Sequence, residues 1–192
     1  VPSNLPKVNS MRKPTTSISE SLENMRNHRP TPDKPWNQRW AIMLKGLKED
    51  EKPKMIGVVG IVREAELGYR IHPDFWGKGF MSEALTMFLE MWWALQGNKN
   101  PNIVTDIVVN SSCRSLGFSP SHANLPEVSQ KYDRLIAAAD PENLASTRIL
   151  VKHGFVKGEY KKEIYARACL GGEVKSDLQY FYLERPVTRG EV

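Results

Sequence analysis

The chain has 192 residues, 40% hydrophobic and 26% charged, which is enough for one complete core and crowded for two, so a single domain over 1–192 is expected. Its 27 Lys and Arg against 22 Asp and Glu leave a net charge of +5 scattered along the sequence, an ordinary mixed surface that argues against a nucleic-acid partner. Cys113 and Cys169 form no CxxC or Cys/His cluster and no apolar run reaches about 18 residues, so neither a disulfide framework, nor a metal site, nor a membrane span is expected, and a reducing, cytoplasmic compartment fits best.

Residues 1–15 carry three prolines and read as an irregular lead-in. In "SISESLENMRN", Ser17 and Glu20 are spaced as a capping box, with Ile18, Leu22 and Met25 on one helical face. "RWAIML" and "MIGVVGIV" read as strands joined by the charged turn "KGLKEDEKPK", a hairpin, and "ELGYRI" as a third strand ended by Pro73. Residues 80–95 form a helix apolar nearly all round, its polar stripe limited to Ser82, Glu83, Thr86 and Glu90. Residues 97–131, rich in Ser, Asn and Pro, are an inserted excursion with one potential strand, "IVTDIVV". "YDRLIAAA" is a strand, and "PENLASTRILVKHGF" a helix with Pro141 near its start and Gly154 at its end. "KKEIYARACL", the turn "GGEVKSD" and "LQYFYLERP" close the chain as a hairpin.

The stretch "HPDFWGKGFMSEAL" sets Gly77 and Gly79 around Lys78 where a strand ends and a helix begins. Free backbone N–H groups and the positive helix end meet there, so an anion is the natural occupant. A Walker A loop is excluded, because Gly79 rather than Ser or Thr follows Lys78. The dinucleotide fingerprint fails too, since Ser82 stands where its third glycine belongs.

"ELGYRIHPDFWGKGFMSEAL", followed about sixty residues on by "ADPENLASTRILVKHGF", resembles the acyl-CoA site of the GNAT superfamily, in its RimJ/RimL-like branch of ribosomal-protein N-terminal acetyltransferases. The superfamily's loop pattern, Gln/Arg-x-x-Gly-x-Gly/Ala, falls on Trp76, Gly79 and Met81, of which only Gly79 matches, whereas Trp-Gly-Lys-Gly-aromatic is usual for the branch. The resemblance implies an α/β fold of the α+β kind: a mixed, mostly antiparallel sheet flanked by helices, here without the family's usual first strand and helix. It implies acetyl-CoA as cosubstrate. The N–H groups from Gly77 through Lys78, Gly79, Phe80 and Met81 to Ser82 would hold its diphosphate, with Met81 narrowing the approach. Its pantetheine arm would lie along Tyr69 and Ile71 and meet Asn143 and Ser146. The plainer alternative is that Pro141, Asn143 and Ser146 simply start and cap a helix.

The implied reaction is direct attack of a neutral primary amine, from a protein N-terminus or a small molecule, on the thioester. Leu150 stands where many superfamily members carry a proton-donating tyrosine; the branch it resembles tends to lack that tyrosine, and the resemblance implies Ser146 as candidate acid. Glu66 and Glu163 are the candidate bases, ahead of His72 and His153. Trp36, Trp40, Trp92 and Trp93 suit either an acceptor pocket or the core. The excursion is a lid, a partner-binding loop or a translated intron, and an exposed first edge strand would invite homodimerisation. A catalytically impaired acyl-CoA-binding domain is the rival reading.

Overall fold

The computed structural model describes residues 16–34, 36–44, 52–95, 132–166 and 175–186. The lead-in 1–15 and the excursion 97–131 lie outside the described residues. The fold is mixed α/β, and the chain divides into two compact units, one of residues 29–135 and 184–192, the other of residues 1–28 and 136–183.

In the first unit, β1 (Arg39–Leu44), β2 (Lys54–Arg63) and β3 (Glu66–Ile71) form an antiparallel meander, the expected hairpin with the third strand added to it. At Gly60 the backbone leading into β1 comes close to β2: a Cβ there would stand 2.1 Å from the Gln38 carbonyl oxygen, so any larger residue would push the two segments apart. A 3-10 turn, Pro73–Phe75, leads into α2 (Phe80–Leu95), whose bounds match the expected helix. Its buried face, including Ala84, Leu85, Phe88 and Trp92, packs on β2, while Thr86 and Glu90 face solvent. Trp92 is fully buried, stacked on Phe88 at 6.2 Å and against Tyr132 at 5.8 Å, so the core reading holds for this tryptophan.

The second unit holds α1 (Ile18–Asn27), most of β4 (Arg134–Ala139), α3 (Leu144–Lys152), β5 (Val156–Ala166) and β6 (Lys175–Glu184), with the strands in the order β4-β6-β5. Ser17 caps α1 by accepting from the Glu20 N–H at 3.1 Å. The Glu20 carboxylate reaches back one residue further than in a standard capping box, accepting from the Thr16 N–H at 2.8 Å. Helix α3 is shorter than the pattern predicts. Asp140 accepts the Glu142 N–H at 2.9 Å in a turn that keeps Pro141 outside the helix, and Asn143 becomes the N-cap. At the other end Gly154, at φ +85°, closes α3 in the left-handed conformation.

Strand β5 starts at Val156, five residues before the predicted "KKEIYARACL", and β6 starts at Lys175, inside the predicted turn. The reason is physical. β5 lies at the end of the strand order and is exposed along almost its whole length, so it shows no apolar alternation. Its pairing with β6 is antiparallel but slips twice, between Lys157 and Tyr160 and again between Lys161 and Tyr165. At the second slip Glu163 takes φ +47°, and its N–H donates to Asp177 Oδ1 at 2.8 Å, while Tyr160 donates its hydroxyl to Asp177 Oδ2. One carboxylate thus replaces ladder bonds that the bulge removes.

These hydrogen bonds, the Tyr160 hydroxyl's first, hold the Asp177 carboxyl below its ordinary range, and the bond to Asp177 raises the Tyr160 phenol. A depressed carboxylate stabilises the hairpin fully above about pH 3.9, and that contribution is lost as pH falls through its lower folded value. A raised phenol stabilises below about pH 10 and is lost as pH rises through its higher folded value. Asp177→Asn is therefore expected to flatten the acid side of a plot of Tm against pH. An unchanged acid limb would show that Asp177 does not carry it.

Candidate functional site

In the first unit the candidate segment begins on β3. The His72 N–H donates to the Ile56 carbonyl at 2.8 Å, so in the alternating antiparallel ladder residues 68, 70 and 72 bond towards β2. The main-chain groups of Tyr69 and Ile71 consequently point away from β2. The Ile71 carbonyl accepts from the Trp76 indole N–H at 2.8 Å, which ties the turn back to the end of the strand.

Gly77 and Gly79 follow at φ +71° and +85°, conformations that cost a residue with a Cβ about 1–2 kcal/mol. A Cβ at either position would meet nothing within 4 Å, so the protein itself does not crowd this stretch. Gly79 is the N-cap of α2, since its carbonyl accepts the Glu83 N–H at 3.0 Å. In α1 and α3 a Ser17 or Asn143 side chain satisfies a first-turn N–H, and a glycine has no side chain to do so.

Positive charge gathers beside the turn. The Phe75 ring carries Lys78 Nζ at 5.5 Å and Lys54 Nζ at 5.4 Å from its centroid, and meets Phe80 edge-on at 6.1 Å. Lys54, at the start of β2, has no signal in the sequence that links it to a turn more than twenty residues away. Met81 is buried at 5% exposure; the core takes up its bulk, contrary to the expectation that it narrows the approach. Ser82 lies half-buried in the first turn of α2 and its carbonyl accepts the Thr86 hydroxyl at 3.1 Å.

In the second unit, Asn143 and Ser146 are one turn apart and directly bonded: Asn143 Oδ1 accepts the Ser146 N–H at 3.1 Å. The cap commits the oxygen of the amide and leaves its NH2 end as the part that can address a ligand. Leu150, one turn further, is 1% exposed and belongs to the core.

The candidate bases differ in their surroundings. Both Glu66 oxygens are engaged by the Arg63 guanidinium, at 3.0 and 2.9 Å. Glu163 sits on the β5 bulge with its side chain exposed. His72 accepts from the Asp74 N–H at 3.4 Å, and His153 is the C-cap of α3 with Nδ1 2.8 Å from the Ile149 carbonyl oxygen, so both have structural duties. Among the described residues there is no group of three or more His, Cys, Asp or Glu that could hold a metal ion, and no helix is long and apolar enough to cross a membrane.

Solved structures with a similar fold include the microcin C7 self-immunity acetyltransferase MccE in complex with acetyl-CoA and AMP, at 17% identity and TM-score 0.53, covering 88% of this chain and 72% of that one. A spermidine N-acetyltransferase SpeG chimera from Vibrio cholerae and hSSAT aligns at 18% identity and TM-score 0.51, over 90% of this chain and 80% of that one. Against a GNAT-family acetyltransferase from Bacillus anthracis, at 18% identity and TM-score 0.43, 68% of this chain is covered, and it spans 59% of that protein, less than two thirds. No curated protein is a significant match. The family model described as acetyltransferase (GNAT) domain matches residues 4–156, a span that draws on both units and includes both candidate segments, and the chain therefore belongs to the GNAT acetyltransferase family, whose members use acetyl-CoA.

Proposed function

We propose that the protein transfers the acetyl group of acetyl-CoA to a primary amine, of a protein N-terminus or of a small molecule, by direct attack of the amine on the thioester, in the manner of the RimJ/RimL-like branch. The observation that carries the reading is the pair of left-handed glycines, Gly77 and Gly79, the second of them the N-cap of α2. Backbone N–H groups there can approach a diphosphate without side chains in the way, and the helix dipole with Lys78 and Lys54 adds favourable charge.

Each further residue has a defined part. The main chain of Tyr69 and Ile71 receives the pantetheine arm in strand fashion, and the Asn143 amide NH2 donates to one of its carbonyls. Glu163 takes the amine proton, through a water where the distance requires one. It is preferred to Glu66, which would first have to leave Arg63. The amine nitrogen then bonds to the thioester carbon, the C–S bond breaks as the tetrahedral intermediate collapses, and the departing thiolate takes a proton from the Ser146 hydroxyl, which is made good by the proton the former amine nitrogen gives up as the amide forms.

The test is thermal unfolding with acetyl-CoA, CoA or ATP, followed by thiol release with a peptide bearing a free α-amine and with a small polyamine. At about one hundred times Kd, acetyl-CoA and CoA are expected to stabilise by about 2.7 kcal/mol, with ATP inactive. Stabilisation without thiol release on any amine would leave an acyl-CoA-binding domain. No stabilisation by either CoA species would remove the proposal.

A further inference from the structure

Tyr165 has no part in the reaction just described, yet it is bonded to the turn that carries Asn143. Its hydroxyl donates to Asp140 Oδ2 at 2.8 Å across 25 residues of sequence, in a half-buried setting. The other Asp140 oxygen accepts the Glu142 N–H at 2.9 Å, and the Asp140 carbonyl accepts the Asn143 N–H at 2.8 Å. Asn143 in turn accepts the Ser146 N–H through its side chain at 3.1 Å and the Thr147 N–H through its carbonyl at 3.1 Å. A continuous run of hydrogen bonds therefore leads from β5 to the first turn of α3.

The β5 bulge explains how Tyr165 comes to be there. Between Lys161 and Tyr165 the strand advances four residues while its partner moves only from Leu178 to Ser176, and the slack is held by Asp177. A bulge re-aims the side chains that follow it, and Tyr165 is the first paired residue after this one.

We propose that Tyr165 is a positioning residue: through Asp140 it fixes the turn 140–143 and so the direction in which Asn143 presents its amide NH2 to the pantetheine arm. The inference rests on the reading that Asn143 meets that arm. A cap residue can rotate about its side-chain torsions and still bond a first-turn N–H. Anchoring the preceding aspartate by both carboxylate oxygens and by its carbonyl removes much of that freedom before the ligand arrives.

The experiment is calorimetric titration of the full chain with CoA for Tyr165→Phe, Asp140→Asn, Asn143→Ala and the double variant Tyr165→Phe/Asn143→Ala, with far-ultraviolet circular dichroism to verify folding. Tyr165→Phe removes the donor of this bond, and Asp140→Asn replaces its charged acceptor with a neutral amide that bonds the hydroxyl more weakly. Each is expected to weaken CoA binding about fivefold, the worth of one ordinary hydrogen bond. In the Asn143→Ala background Tyr165→Phe is expected to add nothing, because residues acting through one group are not additive. Unchanged binding in Tyr165→Phe beside a weakened Asn143→Ala would overturn the positioning role and leave the Asn143 reading intact. So would an equal fivefold loss in both backgrounds, which would mark Tyr165 as a general support of the fold. Wild-type binding by Asn143→Ala would overturn the Asn143 reading and this inference together.

Discussion

Gly79→Ala is expected to weaken binding of both acetyl-CoA and CoA by about tenfold or more, the scale of losing one hydrogen bond to a charged group. Two effects of the added methyl combine. At φ +85° the backbone of Gly79 is in the left-handed region, and an alanine there relaxes by turning the peptide, which re-aims the N–H groups that open α2. A Cβ at this position would also stand in open space, with no protein atom within 4 Å, and that space is where a diphosphate would approach the turn. The protein contains its own control. Gly154 has the same φ of +85°, ends α3, and has the Leu183 side chain 3.5 Å from a notional Cβ. Gly154→Ala should lower Tm through the same backbone strain, by about 1 kcal/mol of stability, while leaving the Kd for CoA within twofold. Calorimetry of both variants separates strain from ligand contact. Equal loss of binding in the two, or none in Gly79→Ala, would remove the turn from the site.

How much of this is legible in the sequence depends on how local each signal is. Helix α2 and strand β3 are predicted to the residue because burial writes itself into spacing: α2 is apolar on most faces, and β3 alternates before Pro73 stops it. The glycines at 77 and 79 are legible for the same reason, since two glycines at a strand-to-helix junction have few purposes other than positive φ and close approach. The start of β5 is not legible, because an exposed edge strand needs no pattern. Glu163 at positive φ is not legible either: its conformation is supported by a carboxylate 14 residues away, and no property of glutamate announces it. Lys54 and Tyr165 belong to this second class, since each gains its position from a partner more than twenty residues distant. The candidate site is thus written in the sequence where backbone conformation decides it, and hidden where pairing between distant segments does.

Ser146→Ala is expected to lower kcat about 100-fold, the lower end of what a positioned acid contributes, while the Kd for acetyl-CoA stays within twofold. Leu150 is buried at 1% exposure and carries no proton to give, so an acid supplied by α3 has to come from another position. Ser146 lies one turn before it on the same helix, with its N–H held by Asn143 at 3.1 Å, so its backbone is fixed by the cap. The substitution removes only the hydroxyl. Alanine is the best helix former and the Asn143 cap uses the N–H of residue 146, so α3 should keep its stability. Loss of turnover with retained binding then marks an interaction made in the transition state rather than in the bound complex. Full turnover in Ser146→Ala would take the acid away from serine and leave the leaving thiolate to be protonated by solvent. A parallel fall in affinity would instead make Ser146 part of the arm's binding surface.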